Sequence, residues 1–198
     1  MHDIEFAGVC RSFGTKTVLR DLHLTLEAGK ITALSGPSGV GKTTVLRMIA
    51  GLERPDAGDI LGAPPMHDVS FVFQEPRLLP WLTARDNIRC VLADRRDRAG
   101  TADRFLETVE LTDAACQLPE QLSGGMQQRV SLARALAAER PVLLMDEPFR
   151  GLDIALRDRL ICRILPLLAG KTVIFVTHSP EEAEAVADRT FVLTPPVI

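Results

Sequence analysis

Gly36-Pro37-Ser38-Gly39-Val40-Gly41-Lys42-Thr43-Thr44 lies between a short apolar run, Ile31 to Leu34, and a segment with Val45, Leu46 and Ile49 at helical spacing. It fits G-x-x-x-x-G-K-[ST], the Walker A phosphate-binding pattern. The flanks place the loop between a buried strand and a helix N-terminus, where the chemistry needs it. Glycines let the backbone take positive φ and turn its N–H groups inward. The helix end adds partial positive charge. Lys42 can reach the β- and γ-phosphates, and the Thr43 hydroxyl can ligate Mg²⁺. The loop predicts nucleoside triphosphate binding. Which machine uses the nucleotide must come from the rest of the chain.

The chain has 198 residues, enough for one domain or one domain with an inserted subdomain. Hydrophobic residues make up 46%, so a substantial core is possible. The net charge of −3 gives no general attraction to nucleic acid or anionic lipid, and no nucleic-acid partner is expected. Cys10, Cys90, Cys116 and Cys162 are scattered, without C-x-x-C pairs or zinc spacing. Four buried or free thiols are expected, which fits a reducing compartment. The N-terminus lacks the basic and apolar regions of a signal peptide. No apolar run approaches the roughly 20 residues of a membrane span, so a membrane role would come through a partner.

Residues 3–9 and 17–26 read as strands around a turn at Phe13-Gly14-Thr15-Lys16. Phe13 suits either a core position or a platform for an adenine ring. The helix after the phosphate loop should end near Gly51. Turns around a short strand at 58–61 follow, then an apolar strand, Val69 to Phe73, leading to Gln74. Glu75-Pro76-Arg77-Leu78-Leu79-Pro80-Trp81 reads as a loop. Thr83 is a good N-cap for a helix through Asn87, Ile88 and Val91. Residues 94–101 read as a charged connection before a helix with Phe105, Leu106, Val109 and Leu111 on one face. Ser123 should cap a helix from Gly125 to about Ala138. Ser123-Gly124-Gly125 is either a plain cap or a second anion-binding helix end.

Val142 to Met145 is apolar throughout, as a parallel strand covered on both faces should be. It runs into Asp146-Glu147. Carboxylates at the end of a buried strand need a cation or a task. Asp146 is placed to hold Mg²⁺, and Glu147 to polarise a water attacking a γ-phosphate. A helix with Leu156, Leu160 and Ile164 should end or kink at Pro166. Thr172 to Thr177 is the next buried strand, and it leads to His178. Ligands in open α/β sheets bind at the carboxyl ends of strands. A helix through Glu181, Glu182 and Ala183 and a strand from Thr190 to Leu193 complete the chain.

With the phosphate loop, Gln74, Leu122-Ser123-Gly124-Gly125-Met126-Gln127-Gln128-Arg129, Asp146-Glu147 and His178 in this order, the chain resembles the nucleotide-binding subunit of ATP-binding cassette (ABC) transporters. The resemblance covers essentially the whole chain, and the 122–129 signature is its most specific part. It implies an α/β P-loop NTPase fold with a mixed sheet core, an N-terminal antiparallel β subdomain and an inserted helical subdomain. The whole chain, 1–198, would form one nucleotide-binding domain: a core of about 1–75 and 136–198, and a helical part of about 76–135.

The resemblance also implies roles. Phe13 would stack on adenine. Gly36, Pro37, Ser38, Gly39, Val40, Gly41, Lys42, Thr43 and Thr44 would hold the phosphates of ATP. Thr43, Gln74 and Asp146 would serve Mg²⁺. Glu147 would be the general base, with His178, Gln74 and Lys42 completing the catalytic set. Ser123, Gly124, Gly125 and Gln127 would act on the nucleotide of a second copy, sandwiching two ATP molecules in a head-to-tail dimer. Asp153 resembles a dimer-interface aspartate.

Implied partners are a second ABC subunit, membrane permease subunits and, indirectly, an extracytoplasmic solute-binding protein. The implied location is the cytoplasmic face of the membrane. The 74–81 loop with Asp86-Asn87-Ile88 looks like that of nitrate, aliphatic sulfonate and taurine importers. Leu78, Leu79 and Trp81 would contact the permease or else pack internally. An exporter subunit and a non-transport regulatory ATPase are the alternatives. Two departures stand out. Residues 52–69 are short for the family, and Arg150-Gly151 replace the usual Ser-Ala. From the early stop after the last strand, a C-terminal regulatory domain is not expected.

Overall fold

The computed structural model describes residues 2–92 and 98–195. In chain order its strands and helices are β1 (Ile4–Phe13), β2 (Lys16–Leu26), β3 (Ile31–Ser35), α1 (Lys42–Ile49), β4 (Ala57–Leu61), β5 (Val69–Val72), α2 (Ala84–Arg89), α3 (Arg98–Thr108), α4 (Gly124–Ala137), β6 (Val142–Asp146), α5 (Ile154–Leu168), β7 (Thr172–Val176), α6 (Pro180–Val186) and β8 (Arg189–Val192). The chain divides into two compact units. One comprises Met1–Val69, Pro141–Asp146 and Gly170–Ile198; the other comprises Ser70–Arg140 and Glu147–Ala169. The helical stretch expected at about 76–135 lies inside the second unit.

The first unit holds two sheets. β2-β1-β4 is antiparallel, and β1 extends to Phe13, past the expected end at residue 9. Alternating side chains bury Ile4, Phe6, Leu24 and Leu26 on one face, as a half-covered strand pair requires. β6, β7, β3 and β8 lie side by side in parallel. All residues of β6 and β7 are buried, which explains their unbroken apolar sequences. α1 packs on β6 and β7, and α6 on β3. Register aligns Leu34 with Val176, Ser35 with Val192 and Asp146 with Val176. Gly36, Asp146 and the Thr177-His178 step therefore share the carboxyl edge of this sheet.

The second unit is built on α2, α3, α4 and α5. Thr83 caps α2 as expected, its side chain accepting from the Asp86 N–H. The helix stops at Arg89, short of Val91, because the chain tightens. Val91 and Leu92 donate to the carbonyls of Ile88 and Arg89, three residues back. α3 begins at Arg98 and absorbs Gly100 and Thr101, which read as connection; residues 94–97 lie outside the described residues. Thr101 and Ala102 are buried, and that burial overrides the weak helix propensity of Gly100.

α3 also ends early, at Thr108. Glu110 takes φ +55, its N–H bonds the Glu107 carbonyl, and the Leu111 N–H bonds the Leu106 carbonyl at 2.8 Å. This is a Schellman ending with glutamate where glycine is usual. It returns Leu111 to the apolar face although the helix has finished. α5 does not end at Pro166; it runs to Leu168. Among the described residues, no helix is long and apolar enough to cross a membrane.

Candidate active site

The phosphate loop belongs to the first unit. Gly36 has φ +134, and a Cβ there would lie 2.4 Å from the Leu193 carbonyl oxygen. Gly41, the residue before α1, has φ +106, and a Cβ there would lie 2.6 Å from a Leu19 methyl. Both positions exclude side chains by backbone angle and by space. Lys42 is only 6% exposed, and its ammonium donates to the carbonyls of Gly36 at 2.7 Å and Pro37 at 2.9 Å. The loop thus folds around the cation that would meet the phosphates. Thr43 Oγ1 donates to Asp146 Oδ2 at 2.8 Å, joining the start of α1 to the end of β6.

Asp146 is 3% exposed. A buried carboxylate facing a hydroxyl is an all-oxygen pair that suits a hard cation such as Mg²⁺. No cluster of three or more His, Cys, Asp or Glu side chains able to hold a metal occurs among the described residues. His178 follows β7 and is exposed. Phe13 is 45% exposed, which rules out the core alternative; the Arg11 guanidinium lies 4.7 Å from its ring centre. Sequence reading missed Lys16. Its ammonium lies 3.5 Å from where a Cβ on Gly39 would stand, placing a second cation beside the loop.

The second unit carries the other half of the predicted residues. Gln74 Nε2 donates to Glu147 Oε2 at 3.2 Å. Glu147 has φ +50, an unusual backbone for a non-glycine residue. Ser123 caps α4, its Oγ accepting from the Met126 N–H at 3.2 Å. Ser123 and Gly124 are exposed, and a Cβ on Gly124 would meet nothing. Gln127 instead turns back on its own loop and donates to the carbonyls of Pro119 and Leu122. Its amide shapes the signature turn. Asp153 caps α5 through the Leu156 N–H.

Two further contacts, made by Gln128 and Arg134, escaped the sequence reading. Gln128 is 4% exposed and donates to the Phe73 carbonyl, tying the signature helix to the residue before Gln74. Arg134 donates to the carbonyls of Pro76 and Arg77, and burial pushes its guanidinium below the ordinary range. Fully buried Asn87 completes the loop scaffold. It accepts from the Leu79 N–H and donates to the carbonyls of Leu79, Leu82 and Thr83. So braced, the loop leaves Trp81 72% exposed, while Leu78 and Leu79 are half-buried.

Residues 19–150 match the family model described as ABC transporter. The chain belongs to the ABC transporter family. It is 46% identical over 198 aligned residues to the sulfate/thiosulfate import ATP-binding protein CysA 2 of Chromobacterium violaceum; the match covers 93% of the chain and 54% of that protein. It is 44% identical to the Fe(3+) ions import ATP-binding protein FbpC 1 of Rhizobium meliloti, covering 96% of the chain and 58% of that relative. Against the aliphatic sulfonates import ATP-binding protein SsuB 1 of Pseudomonas syringae pv. syringae it is 44% identical, covering 92% of the chain and 77% of the relative.

The cassette therefore spans little more than half the length of the first two of these relatives. Its fold matches the ATP-binding cassette MJ0796, solved as a dimer in a post-hydrolysis state with ADP and Pi. The TM-score is 0.86 at 30% identity, over 96% of this chain and 94% of that one. The expected ABC ATPase fold, with its antiparallel N-terminal sheet and parallel core strands, is thereby shown.

Proposed function

We propose that this cassette binds and hydrolyses ATP as a peripheral subunit that powers import by an ABC transporter. The observation that carries the reading is the loop in which buried Lys42 is gripped by its own carbonyls while Thr43 bonds Asp146. That arrangement is built for a polyphosphate with a hard cation.

In the reaction, Lys42, the loop N–H groups and the α1 N-terminus hold the β- and γ-phosphates. Thr43 and Asp146, with Gln74, would hold Mg²⁺, which neutralises phosphate charge when bound. Glu147 accepts a proton from water as the water oxygen bonds the γ-phosphorus. The bond from that phosphorus to the bridging oxygen breaks, and its electron pair leaves with ADP. His178 steadies the γ-phosphate, and Phe13 stacks on adenine. Ser123, Gly124 and Gly125 meet the nucleotide of a second copy, with Gln127 shaping their turn. The dimeric cassette MJ0796 supports the pairing of two copies, and because that dimer is a post-hydrolysis state with ADP and Pi, the pair would part only as the products leave.

Import is favoured because the matched relatives are import ATP-binding proteins. Exposed Trp81 beside half-buried Leu78 and Leu79 offers an apolar contact for a permease subunit. A sulfonate-type solute is the finer reading. It draws on the 74–81 loop and on two aliphatic-sulfonate import relatives, of each of which the chain covers 77%. The test is reconstitution in vesicles with any permease and solute-binding protein found encoded beside it. ATP turnover should rise when an alkanesulfonate is added outside. Stimulation by sulfate or ferric ion instead would reassign the solute, and failure of every solute to couple would remove the import reading.

A further inference from the structure

Position 150 carries arginine, and the backbone aims it at Glu147. The Arg150 N–H donates to the Glu147 carbonyl oxygen at 3.2 Å, closing a turn over residues 147–150. The side chains meet as well, with Arg150 Nη1 lying 3.4 Å from Glu147 Oε2. That oxygen is the one that accepts from Gln74 Nε2. The Glu147 side chain is 18% exposed while that of Arg150 is 62% exposed. Core packing therefore does not force the arginine into this place; it is free to swing away into solvent. Gly151, with φ +77, follows directly.

We propose that Arg150 is a positioning residue that holds the Glu147 carboxylate in a resting arrangement and slows ATP turnover until it is released. The proposal rests on reading Glu147 as the general base. A guanidinium and an amide that share Oε2 fix the orientation of the carboxylate, and turning it toward an attacking water strains both contacts. At least one contact must open first, and the exposed ion pair is the one able to move. A serine at position 150 would be too short to make this contact. Exposed pairs are weak, so the restraint is modest, on the order of a two- to fivefold effect on kcat.

The experiment compares Mg²⁺·ATP turnover by the full chain with that of Arg150→Ser, Arg150→Lys and Glu147→Gln. Arg150→Ser should raise kcat roughly two- to fivefold with KM unchanged, and Arg150→Lys, which keeps the charge, should stay near wild type. The gap between wild type and Arg150→Ser should close as salt rises from about 0.05 M toward about 1 M, where charges are screened within ~3 Å. ATP-dependent dimerisation, followed by gel filtration, should match in Glu147→Gln and Glu147→Gln/Arg150→Ser. If Arg150→Ser is no faster, if the gap ignores salt, or if dimerisation shifts, the restraint is refuted. Absence of turnover in both wild type and Arg150→Ser refutes it too, because removing the restraint must release activity. The two readings separate cleanly. Full turnover in Glu147→Gln sinks the base assignment, whereas a dead Glu147→Gln beside an unaltered Arg150→Ser sinks the restraint alone.

Discussion

Asn87→Ala should loosen the 76–83 loop more than any surface change nearby. The amide is fully buried; its oxygen accepts from the Leu79 N–H at 2.8 Å and from Arg134 Nη1 at 3.5 Å, and its NH2 group shares its two hydrogens among three carbonyls. Alanine leaves the Leu79 N–H without its acceptor, which costs about 1–3 kcal/mol. The carbonyls of Leu79, Leu82 and Thr83 lose a donor each, and the vacated space adds to the penalty. A total of about 2–4 kcal/mol is expected. For a chain of this length each kcal/mol lowers Tm by about 2–4 °C, so a drop of about 4–16 °C should follow. Thermal denaturation reads the total, and amide exchange reads the place. Protection should fall first at Leu79 and Leu82 to Asn87, while α1 and β7 keep theirs. A Tm within about 1 °C of wild type, with unchanged exchange at Leu79, would refute the scaffold argument.

Three other changes test separate parts of the account. Lys16→Ala should weaken ATP binding about two- to fivefold, as expected for one exposed charge beside phosphate, measured by calorimetry. Ser123→Ala should cost about 1 kcal/mol of stability by uncapping α4, and ATP-driven dimerisation should fall with it. Glu110 receives both Arg159 nitrogens at 3.0 Å and lies 3.5 Å from Arg163, and the Arg159 bonds hold its carboxyl below the ordinary value of 4.5. A lowered folded-state value stabilises the fold above about 4.5 and loses that stabilisation as pH falls below it. Glu110→Gln should therefore lower Tm at pH 7 and show a shallower loss below about pH 4.5 than wild type, read by thermal melts across pH.

The parts of the fold that could be read in advance are those where one local rule decides. Thr83 and Ser123 were visible as caps because a hydroxyl before an apolar repeat has few other uses. The continuous apolar runs of β6 and β7 could only be covered strands. Helix ends were harder. Glu110 takes the left-handed turn that glycine normally marks, so no breaker signalled the end of α3. Gly100 looked like a connection, yet burial of its neighbours keeps it in the helix.

The site shows the same division. Lys42, Thr43, Asp146 and the 122–129 signature are contiguous motifs, and their spacing reveals them. Lys16 beside Gly39 and Gln128 beneath Phe73 join elements far apart in sequence, and Arg150 against Glu147 depends on a local backbone angle. Arg150-Gly151 was legible as a departure from pattern. That the departure reaches the Glu147 carboxylate needed the turn at 147–150, which follows from a positive φ that no residue type there announces.

The most direct test of the central claim is steady-state turnover of saturating Mg²⁺·ATP by wild type and by Glu147→Gln, each coupled to a measurement of bound nucleotide. Glu147→Gln should bind ATP as tightly as wild type and hydrolyse it about 10²- to 10⁴-fold more slowly, the range lost with a positioned base. Turnover by Glu147→Gln within a few-fold of wild type, with binding intact, would show that Glu147 does not take the water proton.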